Sequence, residues 1–184
     1  MRTNIIRSRR ADVAFLLGGF CILLMCAVLV FPQQGRAQKL PPPSKIATPK
    51  VEVSPAKVTR GSTFNVTLDV GIMAGFHMNA HKPSEDYLIP TELTAKLPAG
   101  FKETATVYPQ GIAKKLSFTD KPLLVYTGKF MVSVKLEAEA NAPLGKVKLP
   151  FTLQYQACND AVCLPPVKIP VDATVDVVPS SKTK

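Results

Sequence analysis

The feature that most constrains this chain is a period of two in its apolar residues, repeated from about residue 51 to residue 178. Phe64, Val66, Leu68, Val70 and Ile72 alternate with Asn65, Thr67, Asp69 and Gly71, the pattern of a strand with one face in a core and one in water. Ile89, Leu93, Ala95 and Leu97 give a second set, ended by Pro98 and Gly100; Phe130 to Ala138, Leu149 to Tyr155 and Val167 to Val177 give three more. Shorter extended runs are expected at residues 51–54, 76–80, 104–108 and 123–126. No stretch after residue 37 holds a helical period for ten residues. The 17 prolines and 10 glycines divide the chain into many short segments. Seven to nine strands in about 130 residues predict an all-β fold, an immunoglobulin-like β-sandwich, with a small barrel as the alternative.

Ahead of this domain, residues 1–12 carry Arg2, Arg7, Arg9 and Arg10, and the next 19 residues, Val13 to Phe31, carry no charge. A basic n-region before an apolar h-region is the pattern of a signal peptide. Gly35-Arg36-Ala37 sets small residues where a signal peptidase reads them, so residues 1–37 are read as a signal peptide cleaved after Ala37. The alternative is an uncleaved anchor, since 19 apolar residues just suffice to span a bilayer. Residues 38–50, rich in proline and lysine, read as an extended linker. The sandwich is assigned to 51–178 and a short tail to 179–184.

Export revises the charge and the cysteine count. The formal charge of +10 suggests nucleic acid. Residues 1–37 hold five arginines and Asp12, so the remainder carries 18 basic and 12 acidic groups, net +6. Most of that charge is scattered lysine, the last arginine being Arg60. Nucleic-acid binding calls for a clustered basic stripe with interleaved aromatics or arginines, and is set aside. Contact with the membrane is expected only if the leader is retained.

Of the four cysteines, only Cys158 and Cys163 lie beyond the leader. In an exported, disulfide-permissive compartment they pair with each other or with another protein. They flank the connection between the last two long strands, and their four intervening residues allow a turn that brings the two Cα atoms within bridging distance. Pro165-Pro166 stiffens the chain just after the second cysteine. A bridge closing so short a loop stabilises by about 2 kcal/mol, against nearly 5 kcal/mol for a loop of about a hundred residues. It is a poor staple, and it can open without disturbing the sandwich. On spacing alone, an inert local bridge and a redox pair both stand. Asp160 is the charged residue between the cysteines, with no lysine, arginine or histidine beside them. A reduced thiol that is not strongly acidic is therefore expected, as suits a reductant.

Tyr155-Gln156-Ala157-Cys158 through Cys163-Leu164-Pro165-Pro166 resembles the active-site segment of the DsbD N-terminal domain family. Gly75 to Ala80, Tyr87 to Thr91, the Leu97-Pro98-Ala99-Gly100 turn and Val125-Tyr126 are also similar to that family. The resemblance implies an immunoglobulin-like domain in the periplasm of a Gram-negative-type cell, acting as a protein-disulfide reductase or thiol-disulfide interchange component. Its partners would be a thioredoxin-like or membrane electron donor and oxidised periplasmic proteins, met through transient mixed disulfides, with no cofactor. By the same resemblance Cys163 attacks a target disulfide and Cys158 resolves the mixed disulfide, with Tyr155, Asp160 and Pro165 near the site. The family shields its cysteines with a cap loop, for which residues 108–120 are the candidate, Tyr108-Pro109 covering the sulfurs. Two departures stand out. The best-known members have one more residue between the cysteines, and the membrane and thioredoxin-like domains of full-length DsbD have no counterpart in this sequence. A free-standing domain with a separate electron donor is the expectation.

His77, Met78 and His81, with Met73 nearby, offer copper-type ligands. Residues four apart on a strand stand about 13 Å apart, so both histidines are read instead as surface or edge residues, and no metal is expected. The chain has no glycine-rich phosphate loop, no serine nucleophile motif and no carboxylate pair placed for acid-base work.

Overall fold

The computed structural model describes residues 39–116 and 119–180. The leader assigned to residues 1–37 and the end of the tail lie outside the described residues. Within them the chain forms one 3-10 turn, Pro43–Lys45, and twelve strands: β1 Ala47–Ser54, β2 Lys57–Thr59, β3 Ser62–Ile72, β4 His77–Asn79, β5 Glu92–Ala95, β6 Phe101–Val107, β7 Ile112–Lys114, β8 Leu123–Thr127, β9 Lys129–Ala138, β10 Gly145–Tyr155, β11 Ala157–Cys158 and β12 Val167–Val178.

Two four-stranded sheets form the sandwich, one in the order β1-β3-β9-β6 and the other β2-β12-β10-β5. Alternation makes the interior. On β3, Phe64, Val66, Leu68 and Val70 are all at most 2 % exposed, and they meet Val132, Val134 and Leu136 of β9 and Leu149, Phe151 and Leu153 of β10 in one apolar core. Both sheets are open, with edge strands, which excludes the barrel; the fold is an immunoglobulin-like β-sandwich. The strands beyond the expected seven to nine are the short β2, β7 and β11, too brief to show a period.

At its N-terminal side the ordered domain begins earlier than residue 51. β1 starts at Ala47 and pairs with β3 in register Ala47↔Ile72 to Ser54↔Asn65, so the end of the segment read as linker, residues 47–50, is sheet. β1 lies at the edge of its sheet, where Pro49 does not interrupt a ladder on both sides. The Leu97-Pro98-Ala99-Gly100 turn needs its glycine: Gly100 has φ +85°, and a Cβ there would lie 2.5 Å from Ala142 Cα.

A third sheet, β11-β4-β8-β7, is made from extensions of the sandwich strands. β10 passes through Gln156 into β11, and β8 turns into β9 through Gly128, whose φ is +64°. This small sheet carries both cysteine-proximal strands out of the sandwich.

Candidate functional site

The site is assembled where β10 leaves the sandwich. After Gln156, β11 pairs antiparallel with β4, Ala157 opposite Met78 and Cys158 opposite His77. The chain then reverses over residues 159–162. Asn159 shapes the reversal: its Oδ1 accepts from Ala161 N at 2.9 Å and from Val162 N at 2.8 Å, an Asx turn. Asn159 N donates to Val162 O at 2.9 Å and Leu164 N to Ala157 O at 2.8 Å. These two bonds flank Cys158 and Cys163, making them a non-hydrogen-bonded cross-strand pair, the closer kind in an antiparallel ladder. The cysteines form a disulfide, with Cα atoms 3.9 Å apart, tighter than the roughly 4.4 to 6.8 Å range of most bridges.

The two sulfurs have different surroundings. Cys158 is 2 % exposed, whereas Cys163 lies on the exposed face of the hairpin. Both line a cavity of about 170 Å³, with His77 and Asn79 of β4 also on its wall. Tyr87, Leu88, Leu116, Thr119 and Leu123 complete its described lining. Leu116, Leu123 and Val125, with Leu88 packed against them, form a small apolar cluster distinct from the sandwich core. Leucines from three separate chain segments thus shelter the inner side of the disulfide.

Tyr108 and Pro109 are not among the described residues lining this cavity. The Tyr108 ring stacks on His81 at 3.6 Å with an interplanar angle of 3°, and its hydroxyl accepts from Leu93 N at 2.8 Å. Pro109 O accepts from the Tyr126 hydroxyl at 2.9 Å. Burial pushes the Tyr108 hydroxyl above its ordinary pKa, partly offset by the bond from Leu93. These residues brace an open groove of about 710 Å³ bordered by His81, Lys82 and Gln110. Among the described residues of the segment expected to cap the sulfurs, Leu116 and Thr119 line the cavity beside them; the leucine has no local sequence signal beyond being apolar next to lysines.

Tyr155, the last residue of β10, is buried, and its hydroxyl donates to Pro43 O at 2.8 Å, pinning the N-terminal turn. Pro165 is exposed. Asp160, at the hairpin tip, lies 3.0 Å from Lys114 of β7. A cation therefore stands at the site although none is adjacent in sequence, and a carboxylate accompanies it.

His77 corrects the sequence reading most sharply. Expected at the surface, it is 1 % exposed. β4 pairs with β8 on one side and β11 on the other, so it is the interior of the small sheet and covered on both flanks. Burial pushes the imidazole below its ordinary pKa, Lys114 adds to the effect and Asp160 opposes it. His81 is half-buried, with Nδ1 3.2 Å from Thr91 O. Met78 is in the core and Met73 at the surface. These four side chains do not converge.

A family model described as thiol:disulfide interchange protein DsbD, N-terminal, matches residues 44–174. Among solved structures, the DsbD N-terminal domain of Neisseria meningitidis in its reduced form is 22 % identical, with 74 % of this chain and 91 % of that one covered and a TM-score of 0.48. The N-terminal periplasmic domain of ScsB from Proteus mirabilis is 13 % identical, with a TM-score of 0.50; the match covers 74 % of this chain and 49 % of that one, so the chain spans about half of it. That second likeness is one of fold. No curated protein sequence matches the chain.

Proposed function

The chain belongs to the family of the DsbD N-terminal domain, and from that premise we propose that it relays reducing equivalents to oxidised periplasmic proteins by cycling between a Cys158-Cys163 disulfide and a dithiol. The unequal exposure of the two sulfurs carries this reading: Cys163 is open to a partner while Cys158 is 2 % exposed. The accessible Cys163 thiolate attacks a partner disulfide, forming a mixed disulfide and releasing the partner's other thiolate. Cys158 then attacks Cys163 Sγ, the bond to the partner breaks, and the partner departs with two electrons gained. The oxidised domain is restored to the dithiol by a thioredoxin-like or membrane electron donor through the same exchange run in reverse. No cofactor enters these steps.

The hairpin supports the same conclusion. Its bridge closes a loop of four residues and ties together no distant strands, so its contribution to stability is only about 2 kcal/mol. The reading places the domain in the periplasm, either free or held by an uncleaved leader.

The test is partner capture in cells with Cys158→Ala, which leaves the mixed disulfide without its resolving thiol. Disulfide-linked complexes through Cys163, lost when Cys163→Ala is added, are expected. Absence of complexes, together with a reduction potential far below the working range of the envelope, would make the bridge a structural one within an assembly or binding module.

A further inference from the structure

His77 has a defined place and one ring nitrogen without a hydrogen-bond partner among the described residues. It stands opposite Cys158 in the β4-β11 register, and directly opposed residues on neighbouring strands share a face with Cβ atoms about 4.5–5.5 Å apart. Both residues line the same cavity of about 170 Å³. His77 is 1 % exposed, and its Nδ1 has no hydrogen-bond partner among the described residues. Buried polar atoms nearly always have one. The disulfide supplies the reason: in this state Cys158 carries no S–H. Reduction creates a donor on the opposed strand, and an imidazole with its proton on Nε2 offers a lone pair at Nδ1 to receive it.

We propose that His77 accepts the Cys158 proton in the resolving step of exchange, a role that rests on the redox reading above. In the mixed disulfide, Cys158 S–H gives its proton to His77 Nδ1. The Cys158 sulfur bonds to Cys163 Sγ as the bond from Cys163 to the partner breaks. The partner sulfur leaves as a thiolate, and the proton held on the imidazolium passes to that thiolate, directly or through water. Two electrons pass from the dithiol to the partner, and the proton count closes.

The groups that face His77 fit this role. Lys114 of β7 and Asp160 of the hairpin act on it with opposite sign, and they stand 3.0 Å from each other. Tyr87 and, once reduced, Cys158 and Cys163 are the other titratable groups on the described wall of the cavity. Burial and Lys114 keep the imidazole below its ordinary value of 6.5, so it is neutral, and able to accept, at pH 7. A histidine at the surface would be free to protonate; this one is held ready as a base.

The two sulfur events can be timed separately. Full-length chain carrying Cys21→Ser and Cys26→Ser is reduced and mixed with one equivalent of dithiobis(nitrobenzoate). Attack by Cys163 releases one coloured thiolate, and attack by Cys158 releases the second. His77→Gln is expected to leave the first release within about twofold and to slow the second by about 100-fold at pH 7, the lower range for a general base. With His77 present, the second release is level around pH 7 and declines only as pH falls through the lowered imidazole value, on the acid side of the ordinary 6.5. In the variant it climbs with pH through the thiol range instead. His77→Phe, which fills the space without a lone pair, should behave as His77→Gln. Equal second releases in the variant and its parent overturn the proposal. If neither variant folds, the parent's profile decides alone: a second release that climbs steadily from pH 5 to 8.5 overturns it as well. Partner capture fails independently, because a chain without cellular partners still reacts with the aromatic disulfide.

Discussion

At the scale of single residues, Cys158 and Cys163 stand out in the sequence because their spacing is itself the signal. His77 does not, because what defines it is a strand about 80 positions further along. Histidine in an alternating stretch looks like an edge residue until β8 and β11 cover both flanks of β4. The same burial makes a prediction about stability. Since the folded imidazole lies below its ordinary value of 6.5, the unfolded chain binds the proton more readily, and the associated stability is present above 6.5 and lost as pH falls from there through the lowered folded value. Urea midpoints measured between pH 7.5 and 5 should therefore fall in the parent protein. In His77→Gln that share of the fall should disappear, while a slope identical to the parent's would show that the imidazole is not held neutral by the fold.

At the scale of elements, the long strands are legible where alternation survives five residues or more, as on β3, β9, β10 and β12. β1 is obscured by Pro49 and its neighbouring lysines, which suit a sheet edge and also suit a tether. β7 and β11 have three and two residues, so pairing alone defines them. The shelter over the disulfide is likewise an assembly of distant pieces, with Leu88, Leu116 and Leu123 drawn from three segments. It carries its own prediction. Leu116 is 3 % exposed, and Leu116→Ala opens the inner side of the bridge to water, which stabilises Cys158 as the leaving thiolate. Reduction by dithiothreitol should become several-fold faster, read by thiol labelling at timed intervals; an unchanged rate would mean that the leucine cluster does not govern the sulfur chemistry.

At the scale of the whole molecule, the short-loop disulfide is expected to add little to the stability of the sandwich. The core rests mainly on β3, β9, β10 and β12, joined by Met78, Tyr126 and Ala157 of the third sheet, whereas Cys158 stands on β11 of that sheet with Cys163 bridged to it. The double variant Cys158→Ala with Cys163→Ala should lose no more than about 2 kcal/mol by chemical denaturation. Leu153→Ala, at a fully buried position on β10, should lose about 2–5 kcal/mol. A larger loss from the cysteine pair than from Leu153 would assign the bridge to the scaffold.

The inward placement of Cys158 also bears on fidelity. Small thiols dissolved around the protein can reach the mixed disulfide, yet they compete against an attacking group already tethered inside, one whose effective concentration can exceed theirs by orders of magnitude. Each captured partner is thereby committed to leaving reduced, and few encounters are squandered on bystanders.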